Sequence, residues 1–274
     1  MTRSPHADTQ DYKELLRTHF DTYARGWHQR MANHVYAMRY RAVERMVAPL
    51  GAKSVLDVGC GTGDYAQLFD PERTRYLGID ISEKMIAECA RLFPAHKFAV
   101  ADGDSIDAAN DTFDLVLSIG VLEYLPDPDS HLRELARVTK PGGSVIAAVQ
   151  NGSNRSRRLD RPIRAMLDSA PGKALRRALG RPVDVKKTTS DGSAKNPRIV
   201  HLKTTVDEFR AMASLAGLKL VESDHVSLYV LPELIPGVAS VNDRLSRALS
   251  GRAGWQWLQR ATGLVLVVRL QKPR

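Results

Sequence analysis

Val55-Leu56-Asp57-Val58-Gly59-Cys60-Gly61-Thr62-Gly63 is a short apolar strand that ends in an acid and runs into three glycines at alternate positions. Such a run is a ligand-binding turn between a strand and a helix. Glycine tolerates positive φ and lets a ligand come against bare backbone, which suits a chain that must turn sharply beneath a bound molecule. The spacing narrows the choice of ligand. A dinucleotide fingerprint, G-x-G-x-x-G, requires glycine at position 64, and this chain has Asp64 there, beside the helix N-terminus that a pyrophosphate would occupy. A carboxylate at that point repels phosphate, and with Asp57 at the strand end it suits a ligand that carries positive charge.

The pieces that follow fall where such a ligand needs them. Tyr76 to Ile79 is a second apolar strand closed by Asp80, an acid placed to accept hydrogen bonds from both hydroxyls of a ribose. A helix from Glu83 to Phe93 and a strand from His96 to Ala101 lead to Asp102, placed to accept from an adenine amino group. S-adenosylmethionine carries the ammonium, sulfonium, ribose and adenine that these positions call for. Phe113 to Ile119 reads as a fourth strand, Gly120 to Asp127 as a loop and Ser130 to Val138 as a helix; Lys140-Pro141-Gly142-Gly143 then turns the chain into a fifth strand, Ser144 to Val149.

Through these motifs, residues from about 50 to 150 resemble a class I S-adenosylmethionine-dependent methyltransferase. D-V-G-C-G-T-G, G-I-D-I-S, F-D-L-V-L-S, L-E-Y-L-P-D and K-P-G-G stand in that family's order and at its usual separations. Each motif alone is weak, but the series is specific. The resemblance implies an α/β fold, a doubly wound, seven-stranded, mostly parallel Rossmann-like sheet with a C-terminal antiparallel hairpin strand. It implies that Asp57, Gly59 and Gly61 border the methionine moiety, that Asp80 holds the ribose, that Ile81 beside it also contacts the cofactor, and that Asp102 and Gly103 meet the adenine. Backbone at Ser118 and Ile119 would line the methionine side. An N-terminal flap is implied by Phe20-Asp21-Thr22-Tyr23-Ala24-Arg25-Gly26-Trp27-His28, with Tyr23 and Trp27 closing on the sulfonium.

Composition fits a soluble, cytoplasmic enzyme. The chain has 274 residues, 43% of them hydrophobic, enough for one α/β domain with an accessory cap. Two cysteines, Cys60 and Cys89, argue against a disulfide framework or a zinc site. Met1 to Gln10 is polar, so no signal peptide is expected, and the longest apolar run, Leu264 to Val268, is too short to span a bilayer.

Charge is concentrated rather than spread. Between Arg155 and Lys187 eleven Lys or Arg face three Asp, a balance of +8 within the chain's formal +9. Ile163, Met166, Leu167 and Ala170 form one helical stripe and Leu175, Ala178 and Leu179 another, so two short basic amphipathic helices are expected. They are either a solvated cap or a contact with an anionic membrane surface or a lipid-linked or carrier-bound substrate. Nucleic acid ranks lower, because no tetrad for a flipped base and no appended RNA-binding module is visible.

Later in the chain, Thr205-Val206-Asp207-Glu208 is a capping box opening a helix that Gly217 closes, and Leu218 to Glu222 is a sixth strand. Val226 to Thr262 is a second, apolar insertion with Val238, Val241, Leu245 and Leu249 on one helix face, followed by Trp255 and Trp257; Gly263 to Leu270 is a seventh strand. The organisation read from the chain is a flap (1–49), a cofactor core (50–150), a basic insertion (151–203), a core helix and strand (204–225), a substrate cap (226–262), and a last strand with its tail (263–274).

Methyl transfer from a sulfonium asks the protein mainly to place a nucleophile in line and exclude water, and an oxygen nucleophile usually also needs a base. His201 and His28 are the better-placed histidines, and Glu123 and Tyr124 face the transfer region in relatives, many of which carry histidine where Tyr124 stands. No metal is expected. A small-molecule acceptor methylated on oxygen is the preferred reading by family analogy; nitrogen or carbon methylation, a dinucleotide oxidoreductase and a non-catalytic cofactor-binding partner are the alternatives.

Overall fold

The computed structural model describes residues 9–29, 34–154, 198–228, 238–249 and 256–274, with isolated positions at 165–166, 169–171, 174 and 254. Two helices, α1 (Thr9–Tyr23) and α2 (His34–Val47), precede the first strand. The core alternates β1 (Ser54–Val58), β2 (Arg75–Asp80), α3 (Glu83–Leu92), β3 (Lys97–Val100), β4 (Phe113–Ile119), α4 (Pro128–Val138) and β5 (Thr139–Asn151). Then come β6 (Lys203–Thr204), α5 (Val206–Leu215), β7 (Lys219–Leu228), α6 (Val238–Leu249), α7 (Gln256–Thr262) and β8 (Gly263–Gln271).

Seven strands run in the order β3-β2-β1-β4-β5-β8-β7, with β6 pairing β5 off this path. The pairs from β3 to β5 are parallel, and β8 lies antiparallel to both β5 and β7. This is the doubly wound sheet with an antiparallel end that the motif series implies. Both faces are covered, so the central strands read as continuous apolar runs. Alternate residues feed two cores: Leu56, Val58 and Val116 pack with Leu132 and Leu135 of α4 and Phe209 of α5. Val55, Leu115 and Leu117 pack on the opposite face with Val43 and Met46 of α2. Strand order reverses between β1 and β4, and the crevice at the carboxyl ends of those strands is where open α/β sheets bind ligands.

Several elements differ from the sequence reading. No α-helix follows the glycine turn; only a single turn of 3-10 helix, Ala66–Leu68, is formed. Gly59, Gly61 and Gly63 all have positive φ (68°, 56° and 77°), so the backbone reverses hand repeatedly where a helix would nucleate. Asp64 is therefore not beside a helix N-terminus, and its role has to be read from its contacts. β5 begins at Thr139 and absorbs the Lys140 to Gly143 turn, with a register shift opposite Phe113 and Leu115. β7 extends through the start of the expected second insertion, with an irregularity between Leu220 and Glu222.

The capping box at Thr205 is formed in both directions, Thr205 accepting from Glu208 N and Glu208 from Thr205 N. Among the α6 side chains described, Asn242 and Ser246 are buried, while Val241 is 44% exposed. Ser246 Oγ donates to Asn242 O at 2.7 Å, which lets small polar side chains sit inside. Most of the basic segment 155–187 lies outside the described residues. Met166, placed on a packing stripe by periodicity, is 60% exposed. Positions 229–237, 250–253 and 255 of the expected cap also lie outside the described residues.

Candidate functional site

A cavity of about 160 Å³ opens at the crevice, lined by the glycine turn, the tips of β2 and β4, the 102–104 loop and the inner faces of α1 and α2. Its floor is set by backbone. Gly59 N and Cys60 N donate to Ile79 O at 2.8 and 3.0 Å, which ties the turn to β2. A Cβ at Gly59 would stand 2.3 Å from Val121 Cγ2, so only glycine fits there on both conformational and steric grounds.

Asp80 lines the cavity at the β2 tip and is 8% exposed. Gly61 N donates to one of its oxygens and Ser82 N to the other, each at 2.9 Å. Each oxygen keeps lone-pair capacity toward the cavity, enough for two hydroxyls. Burial pushes the carboxyl up to about 6 against the pull of those amide bonds. Asp102 also lines the cavity, and its carboxylate is held by a short ion pair from Lys13 of α1. Lys13 reaches Asp104 as well, at 3.1 Å.

The other end of the cavity is aromatic and carries one cation. Phe20, Tyr36 and Tyr124 contribute rings, and Trp27 joins them to the glycine turn, its Nε1 lying 3.3 Å from where a Cβ on Gly61 would stand. Phe20 meets Trp27 edge-on at 5.8 Å and Tyr124 at 5.3 Å. Arg39 enters from α2 with its guanidinium 4.6 Å from the Tyr36 ring centre, and its buried Nε has no hydrogen-bond partner among the described residues. Burial would lower the Arg39 pKa, but facing Tyr65, Tyr36 and Glu123 hold it above its ordinary value. Glu123 is 8% exposed, and its carboxylate accepts from Gln150 N at 3.0 Å.

Of the positions predicted from sequence, the cavity brings together Trp27, Gly59, Gly61, Asp80, Ile81, Asp102, Gly103, Ile119, Glu123 and Tyr124. Five others stand outside its lining. Asp57 points to Tyr76, whose hydroxyl donates to it at 2.7 Å; the acid is 1% exposed and pushed up to about 7 by burial. It lies beneath the turn, and the next residues, Val58, Gly59 and Cys60, reach the cavity. Ser118 is fully buried with its hydroxyl 3.1 Å from His131 Nε2. Tyr23 packs on His19 on α1. His28 pairs with Asp64 through a short contact. His201 packs edge-on behind Tyr124 at 5.3 Å, held there by the Leu202 N to Glu123 O bond.

Asp64 itself accepts from Thr62 Oγ1 at 3.2 Å and lines the cavity, its carboxyl raised by burial despite the His28 contact. A buried carboxylate there still opposes a phosphate, now through the cavity wall rather than at a helix end.

Sequence reasoning missed Lys13, Arg39, Asp104 and His131. Two of these had a signal. Arg39 falls on the stripe of α2 that buries Tyr36, Ala42 and Val43, and His131 on the stripe of α4 that buries Leu132 and Leu135. A cation or imidazole on an otherwise apolar helix face marks a site. Lys13 had none, because its partners are nearly ninety residues away.

Residues 56–147 match the family described as "Methyltransferase domain". Over 115 residues the chain is 36% identical to the ubiquinone biosynthesis O-methyltransferase of Thiobacillus denitrificans, covering 40% of this chain and 49% of that protein. It thus spans about half the length of that curated relative. Among solved structures, it is similar to the complex between the Haloferax volcanii Trm112 methyltransferase activator and a methyltransferase (21% identity, TM-score 0.59, covering 94% of this chain and 97% of that one). It is similar also to the Burkholderia thailandensis 1,6-didemethyltoxoflavin-N1-methyltransferase with bound 1,6-didemethyltoxoflavin and S-adenosylhomocysteine (14% identity, TM-score 0.58, covering 100% and 94%). At these identities the structural likeness speaks for the fold. Residues 56–147 are a methyltransferase domain, and the chain is built on the class I S-adenosylmethionine-dependent methyltransferase fold.

Proposed function

We propose that the chain transfers a methyl group from S-adenosylmethionine to a small-molecule acceptor, with oxygen as the accepting atom. The observation that carries the reading is one cavity with two unlike ends: the glycine turn, Asp80, Asp102 and Gly103 at one, and rings with Glu123 at the other. The residues suit the cofactor. Gly59 and Gly61 offer bare backbone, Asp80 has acceptor capacity for a ribose, and Arg39 has an orphaned donor that fits the methionine carboxylate.

Bound there, S-adenosylmethionine supplies a methyl group already activated on a sulfonium. The chain's own work is then positioning and exclusion of water. Trp27 and Tyr124 bring aromatic rings to the cavity, and the 24–29 stretch touches the glycine turn through Trp27 at Gly61 and His28 at Asp64. Glu123 is the carboxylate at the acceptor end, and it is the group we place as proton acceptor. The name shared by relatives such as the Thiobacillus protein supports oxygen over nitrogen or carbon.

Incubation with labelled S-adenosylmethionine and a panel of hydroxylated aromatics tests this. S-adenosylhomocysteine should form with a free hydroxyl and not with its methoxy counterpart; bound cofactor with no turnover on any acceptor would contradict it. The basic segment from Arg155 to Lys187 is proposed as the contact for an anionic membrane or carrier, since it holds most of the chain's charge excess. Among the described residues no helix is long and apolar enough to cross a membrane. Sedimentation with anionic vesicles at low salt, with and without that segment, separates contact from a solvated cap.

A further inference from the structure

His131 is an imidazole on the apolar face of α4, fully buried, at the wall of the cavity. Each ring nitrogen has a partner. Nδ1 lies 3.3 Å from Asp104 Oδ1, and Nε2 lies 3.1 Å from Ser118 Oγ. A carboxylate only accepts, so Nδ1 carries the proton on the Asp104 side, and Nε2 is left to accept from the Ser118 hydroxyl. The ring therefore ties the tip of β4 to the loop that follows β3.

That loop holds Gly103, and the ring packs directly beneath it. A Cβ at Gly103 would stand 2.6 Å from Val58 Cγ1 and 3.2 Å from His131 Cε1. The Cβ side of Gly103 is thus closed by β1 and the imidazole together, and the residue lines the cavity between Asp102 and Asp104. Asp104 is shared with Lys13, so the chain of contacts runs from α1 through Lys13, Asp104 and His131 to Ser118. Burial would raise the Asp104 carboxyl, but hydrogen bonds from His131 and Lys13 outweigh it and keep the group below its ordinary value, ionised as this chain of contacts requires.

We infer that His131 is the positioning residue of the adenine subsite, fixing the 102–104 loop so that Gly103 and Asp102 present their hydrogen-bonding groups to the base. The inference rests on the cofactor reading above. Its consequence is selective by ligand part: loss of the imidazole should weaken every ligand that carries adenine and be indifferent to the amino-acid end.

Two ligands and two variants test it by calorimetry, S-adenosylhomocysteine and 5′-methylthioadenosine, which keeps adenine and ribose but lacks the amino acid. His131→Phe fills the ring's space without its hydrogen bonds and should weaken both ligands alike, by about tenfold each. Asp104→Ala removes the acceptor of the His131 Nδ1 proton from the loop side and should weaken both in the same proportion, which keeps the test open if His131→Phe does not fold. A folded His131→Phe protein, or Asp104→Ala in its place, with wild-type affinities overturns the inference, as does a loss confined to S-adenosylhomocysteine. Wild-type protein that binds neither ligand overturns the cofactor reading itself, and this inference with it.

Discussion

The two ends of the cavity are built by different means. The cofactor end is made from consecutive strand tips of one sheet, with glycines and acids whose places follow from backbone geometry. The acceptor end is assembled from pieces far apart in sequence: α1, α2, the loop after β4 and the strand tip at Gln150. Backbone constraints leave few choices of residue; packed side chains from separate helices leave many. On the proposed function, the first end is a fixed cradle and the second selects the acceptor.

The largest effect that would break this contrast is at Gly59. A Gly59→Val side chain meets Val121 in a left-handed backbone, and S-adenosylhomocysteine binding should be lost, with thermal stability down by about 2 kcal/mol or more. Binding retained in calorimetry would mean the turn is not part of the cradle. Next is Asp80→Ala, which should weaken S-adenosylhomocysteine by about a hundredfold, because two charge-assisted hydrogen bonds to the ribose go with it. In the wild type that affinity should rise with pH through about 6, as the carboxyl ionises, and level off above. A flat profile would sink the ribose role.

Arg39→Met sharpens the comparison from the boundary between the two ends. It should weaken S-adenosylhomocysteine by about tenfold and leave 5′-methylthioadenosine unchanged. Equal loss for both would place Arg39 elsewhere in the site.

Asp57 gives a smaller, structural effect. Its folded value near 7 lies above the ordinary 3.8, so the native state holds the extra proton between those values. Stability of the free protein should then fall as pH rises through that window, by up to about 1.4 kcal/mol per unit from this group, and Asp57→Asn should flatten the slope. Chemical denaturation at several pH values reads this directly. The smallest effect is expected at His201, which sits behind Tyr124; its alanine variant should retain turnover within about threefold, and a larger loss would bring it back as the base.

What was legible in the sequence follows the same division. The strand tips and the glycine turn could be read because a period of two and a required φ leave marks within a few residues. Asp57 stands outside the cavity lining for a local reason: near the end of β1 it lies on the face that meets Tyr76, and sequence shows the strand but not which face turns inward. The expected helix after Gly63 failed because alternating glycines favour reversal over propagation. Lys13 on Asp102 and His201 against Tyr124 depend on where α1 and the 198–202 stretch come to rest, and that is set by tertiary packing alone. Arg39 and His131 lie between these cases, since each interrupts an apolar stripe that could be counted.

On the proposed function, the turn at Gly59 to Gly63 serves S-adenosylmethionine and not a dinucleotide. Calorimetric titration of the intact chain with S-adenosylhomocysteine and, separately, with NADH tests it most directly. Saturable one-to-one binding of S-adenosylhomocysteine with no heat from NADH is expected; binding of NADH, or of neither, would overturn the assignment of the turn.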